Sequence, residues 1–144
     1  FNHSNFSSLL KELIMKFKPG FRFSGLDASI LILAACLAFF LRAYSALYSL
    51  LVGFIILHFF LFCNMVRMSR IPELIWSSFF LGIFYLHFSL SILSFNLALI
   101  SSLFVSTVLI LLECHQPSYH GIFWEKINPN LPRWFSENQK HKLS

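Results

Sequence analysis

Two histidines, His58 and His87, lie inside long apolar stretches of the chain. An ionisable side chain at membrane depth is costly, so each is a functional candidate. A neutral imidazole on either one suits the single axial ligand of a haem or chlorophyll-type pigment. Both rings on one haem would have to sit at nearly the same depth. His58 lies about eight residues, or roughly 12 Å, from the Lys/Arg-rich end of its stretch, and His87 lies roughly 21 Å from that same end. That mismatch argues against a bis-histidine haem. The structural alternative is a neutral histidine bonded to a carbonyl or a serine between helices.

A second cluster reads Glu113-Cys114-His115-Gln116-Pro117-Ser118-Tyr119-His120-Gly121. Glu113, His115 and His120 offer three donors of the kind a catalytic metal site uses, with water as a fourth ligand. They also define a site for a small membrane enzyme. A carboxylate at the end of a helix faces the negative pole of the dipole and requires compensation. Arg67 and Arg70, on the same side, are the expected partners of Glu113. Cys63 and Asn64 are expected to approach the cluster. The competing reading is a hydrogen-bonded cap at the membrane surface.

These residues must be held by membrane-spanning helices. The chain has 144 residues, 57% hydrophobic and 12% charged, with 19 phenylalanines; soluble domains carry about 25% charge. A soluble fold of this size leaves too much surface exposed to water to hide such a composition. The apolar run over 26–66 is roughly twice the length that crosses a bilayer, so it must fold back. Arg42-Ala43-Tyr44-Ser45 is the natural turn. The run over 73–112 turns in the same way near Ser94-Phe95-Asn96. The expected spans are therefore 26–41, 46–66, 73–93 and 97–112, the first and last being short.

Of the eleven Lys and Arg residues, ten lie on one side of these spans and only Arg42 on the other. The positive-inside rule then predicts both termini in the cytoplasm, stroma or matrix. The expected fold class is an all-α integral membrane four-helix bundle of two consecutive helical hairpins, N-in/C-in. An amphipathic interfacial helix precedes it: Phe6, Leu9, Leu10, Leu13, Ile14 and Phe17 share one face, with lysines opposite. Residues 1–22 form that interfacial segment, 23–114 the spanning domain, and 115–144 an aromatic tail. Pro129 and Pro132 are expected to preclude a regular helix in the tail, and its end, from Glu137, is expected to fray.

Small residues (Ala34, Ala35 and Ala38; Ser78 and Gly82; Ser102 and Ser106) allow close helix approach in lipid. Cys36, Cys63 and Cys114 form no CxxC pair, and no GxSxG, HExxH, P-loop or dinucleotide fingerprint occurs. The basic residues flank apolar runs instead of forming a nucleic-acid face. The two hairpins run in the same direction, so they are not the inverted repeat of many transporters, and no polar path crosses the spans. The favoured expectation is a non-catalytic accessory or assembly subunit in a bacterial or organellar inner membrane. Its partners are the lipid bilayer and other membrane subunits or a second copy, and no cofactor is called for. Tetrapyrrole binding at His58 or His87, and an enzyme built on Glu113, His115 and His120, are the alternatives.

Overall fold

In the computed structural model, which describes residues 18–143, the chain is all-helical, with no strand among the described residues. Four helices are long and apolar enough to cross a membrane. They are α1 (Gly25–Arg42), α2 (Ala46–Phe60, continuing as a π-helical segment Leu61–Val66), α3 (Arg70–Phe88) and α4 (Phe95–Cys114). At 1.5 Å per residue each is about 27–32 Å long, which matches a hydrocarbon core. The interfacial helix expected over residues 5–18 falls almost wholly outside the described residues.

Serines set where these helices begin. Ser24 caps α1 in a capping box: the Asp27 N–H donates to Ser24 Oγ at 3.3 Å and the Ser24 N–H donates to Asp27 Oδ2 at 2.7 Å. Ser45 and Ser94 accept from Leu47 and Leu97 at 3.3 Å each and start α2 and α4. The chain therefore turns at Arg42–Ser45 as the composition requires. α3 differs from its expected bounds at both ends. It starts at Arg70 because Pro72 lies in the first turn, where a missing N–H breaks no helical bond. It stops at Phe88, and His87 Nδ1 then reaches Leu93 O at 2.8 Å across the turn that follows.

α1 packs chiefly on α2, and α3 on α4. A buried core of Phe62, Trp76, Phe80, Phe84 and Ala98 joins α2, α3 and α4. Trp76, Phe80 and Phe84 repeat every four residues, so their rings stack down one face of α3, with centroids 5.0 and 4.5 Å apart. α1 contributes no buried residue.

The π segment ends at Arg67 in the left-handed conformation, φ 55°. Helix ends leave carbonyls unpaired, and here two of them bind other parts of the chain. Asn64 O accepts from Arg22 N at 3.1 Å, and Met65 O accepts from Ile122 N at 2.7 Å. Gly20 N donates to His120 O at 2.8 Å. The segment before α1, the end of α2 and the segment after α4 are thus tied at one end of the molecule.

Past that junction are a four-residue helix, α5 (Trp124–Ile127), and α6 (Leu131–Leu143). α6 corrects the expectation of an irregular tail. Pro132 is the second residue of the helix, inside the turn whose N–H groups need no helical partner. The Asn130 carbonyl accepts from Arg133 N and Trp134 N at 3.1 Å each and starts the helix. Beyond Glu137 the chain stays helical to Leu143.

Candidate functional site

His58 is 2% exposed, between α2, α3 and α4. Its ring stacks on Trp76 at 4.8 Å with 10° between the planes, and lies tilted against Phe54 with centroids 4.1 Å apart. Nδ1 lies 2.8 Å from the Phe54 carbonyl, which can only accept, so Nδ1 carries a proton. Nε2 faces Ser106 Oγ at 3.2 Å, and that hydroxyl also lies 2.9 Å from Leu103 O. One hydroxyl proton serves two acceptors. Against a neutral imidazole it must turn to Nε2. Nearby, Trp76 Nε1 donates to Ser102 O at 3.2 Å. The pair of bonds ties α2 and α3 to α4. Both His58 nitrogens are engaged, so a tetrapyrrole could take Nε2 as an axial ligand only by displacing Ser106 from it.

His87 is spent differently. Its Nδ1 bond to Leu93 O braces the turn into α4, and its ring lies edge-on to Phe88 and Phe95 at 4.7 and 5.6 Å. The two histidines serve separate neighbourhoods.

At the junction end, Glu113 is buried and meets neither expected arginine in an ion pair among the described residues. Its Oε1 accepts from Ser69 N at 3.1 Å and its Oε2 from Ser69 Oγ at 3.3 Å. Ser69 is the N-cap of α3. The carboxylate that α4 places unfavourably at its own end therefore sits at the favourable, positive end of α3. Cys63 approaches Glu73, not Glu113, with Sγ 3.7 Å from Oε1.

His115 is exposed, with Nδ1 2.7 Å from Leu111 O. His120 is half-buried, with Nδ1 2.9 Å from Ser118 O. Burial pushes the His120 pKa down and the nearby Arg67 adds to this, while the Ser118 bond and Glu113 oppose it. Among the described residues no three His, Cys, Asp or Glu side chains are grouped so as to hold a metal ion. An open cleft of about 510 Å³ at this end is lined by Cys114, His115 and Asn128 among others, but by neither Glu113 nor His120.

Sequence reasoning passed over the junction's closest contact. A Cβ on Gly121 would run into the Val66 carbonyl and stand 2.8 Å from Met65 O and 2.7 Å from Tyr119 Oη. Tyr119 is buried there; its hydroxyl donates to Ile122 O at 2.8 Å, and burial raises its pKa. Only glycine admits the segment this close. The glycine that closes the polar cluster was the one available signal.

These features define an all-helical chain with four helices able to span a membrane, braced at depth by a buried histidine and at one end by a three-segment junction. No protein-family model, no curated protein and no solved structure matches the chain.

Proposed function

We propose that the chain is a non-catalytic accessory subunit that packs against, assembles or stabilises a larger membrane complex. In this reading α1–α2 and α3–α4 are two antiparallel hairpins of one bundle. Both ends of the chain lie on the side that carries ten of the eleven Lys and Arg residues. The positive-inside rule makes that side the cytoplasm, stroma or matrix of a bacterial or organellar inner membrane.

One observation carries the reading. Ser78 and Gly82, one helical turn apart on α3, face outward, and nothing lies within 4 Å of where a Gly82 Cβ would be. Inside the molecule the close approach is made instead by Ala98 and Ser102, each fully buried on α4. A small-xxx-small pair that its own fold leaves uncovered suits the close approach of another helix in lipid. The internal polar groups support the same reading, because His58, His87 and Glu113 are engaged in structural hydrogen bonds.

The test is co-purification in mild detergent. Ser78→Leu and Gly82→Leu are expected to strip a stoichiometric partner, or a second copy, while the isolated chain keeps its thermal stability. Ser102→Leu is expected to lose both. Unchanged complex composition in the two outward variants, or a wild-type chain that is fully functional as a monomer, would sink the proposal.

A further inference from the structure

The junction end also concentrates positive charge in an unusual way. Arg67 is half-buried, and of its five guanidinium N–H donors the structure engages Nη1, which donates to the Lys18 carbonyl at 2.8 Å. Arg22 is brought to the same corner by its backbone bond to Asn64, three residues before Arg67. Burial first, and then the charge of Arg22, lower the pKa of Arg67 from its ordinary value. Neither is ion-paired to a carboxylate among the described residues. Asp27 is the acid whose field reaches Arg22; its Oδ2 accepts from the N–H and hydroxyl of Ser24, and no ion pair joins it to Arg22. Two cationic residues brought to one corner, one of them half-buried, call for an anion.

The surroundings say which anion. Phe21, Phe23 and Phe60 form an aromatic cluster beside Arg22, with Phe60 6.0 Å from each of the other two rings. Phe21 and Phe23 are each 53% exposed. α1 begins at Gly25 and the second span ends at Val66, so arginines and phenylalanines flank the hydrocarbon boundary together. A guanidinium fork matches phosphate oxygens, and an open aromatic shelf at that depth suits an acyl chain. We infer that Arg22 and Arg67 jointly hold the phosphate of an anionic phospholipid whose acyl chain lies over Phe21, Phe23 and Phe60. The pair repels a choline ammonium, so a net-negative headgroup is preferred to a zwitterionic one. This site is independent of the outward face of α3.

The experiment is native mass spectrometry of the full chain in mild detergent. It is titrated with phosphatidylglycerol and with phosphatidylcholine of identical acyl chains. Wild type is expected to bind phosphatidylglycerol more tightly. Each surface cation contributes about fivefold, so Arg22→Gln should lower that affinity about fivefold, and Arg22→Gln/Arg67→Gln should abolish the preference. Arg22→Lys/Arg67→Lys should keep most of it, and Arg42→Gln, at the other end of α1, should leave it unchanged. Should the double glutamine variant fail to fold, Arg22→Gln alone decides, since its side chain makes no bond in the fold. Equal binding of the two lipids by wild type, or a phosphatidylglycerol affinity that Arg22→Gln leaves unchanged, would overturn the inference. Displacement of phosphatidylglycerol by inorganic phosphate would overturn it in favour of a free anion.

Discussion

Glu113, in the last turn of α4, accepts hydrogen bonds from both the backbone N–H and the hydroxyl of Ser69, the residue that starts α3. One carboxylate thereby satisfies an N–H that helix geometry leaves open, and it does so from a neighbouring helix. Ser69 makes no cap of its own, unlike Ser24, Ser45 and Ser94. The start of α3 is thus secured only once α4 is in place.

Loss of this cap should be measurable. Glu113→Ala is expected to destabilise the chain by about 1–2 kcal/mol, the range for a removed helix cap. Glu113→Gln, which keeps one acceptor oxygen, should cost less. Unfolding in mixed micelles with a denaturing surfactant, followed by helical circular dichroism, checks both. Equal losses would mean that the carboxylate's charge, and not its geometry, is what α3 requires.

The His58–Ser106 bond predicts an asymmetry. Ser106→Ala strands Nε2 in a buried, aromatic site and should cost about 1–3 kcal/mol. Replacing both partners, as His58→Leu/Ser106→Ala, should cost less than the two single changes added together. The same unfolding assay, run as a double-mutant cycle, reads the coupling. Simple additivity would show that the 3.2 Å contact contributes nothing.

Gly121 supports a steric prediction. Gly121→Ala forces a methyl group against the Val66 and Met65 carbonyls, and should cost about 1–3 kcal/mol as an overpacked site. Gly82→Ala, in open space, is the matched control and should be neutral or slightly stabilising. Cleavage by added protease between α4 and α6 should accelerate in the first variant and not in the second.

His120 predicts a dependence on pH. Its folded pKa is depressed below the ordinary 6.5, mainly by burial. The unfolded chain therefore takes up the proton first as pH falls, and folded stability drops from about 6.5 downward, levelling below the folded value. Above 6.5 the contribution is fully present. His120→Asn should flatten this part of the stability profile. Arg67 and Glu113, the charged groups that act on His120, should still fold normally in that variant. An unchanged slope would assign the titration to another group.

Much of the architecture is legible in the chain because bilayer thickness limits how long an apolar run can be. That limit forces turns near Arg42–Ser45 and near Ser94, and serines at these turns supply N-caps, but it did not place the end of α3, which stops at Phe88 and not at Leu93. Local sequence misled where local rules have exceptions. Pro132 reads as a helix breaker, yet the first turn of α6 accommodates it because no N–H is needed there.

Partner choice was not legible. Charge complementarity assigned Arg67 and Arg70 to Glu113, whereas the fold brings Ser69, whose N–H and hydroxyl both reach the carboxylate. Nothing along the chain separates Ser78 and Gly82, which face out, from Ala98 and Ser102, which face in. In water, apolar patterning marks the inner face of a helix. In lipid both faces are apolar, so the sequence determined the number and length of the spans, and only the packing of rings and carbonyls decided which residues lie inside.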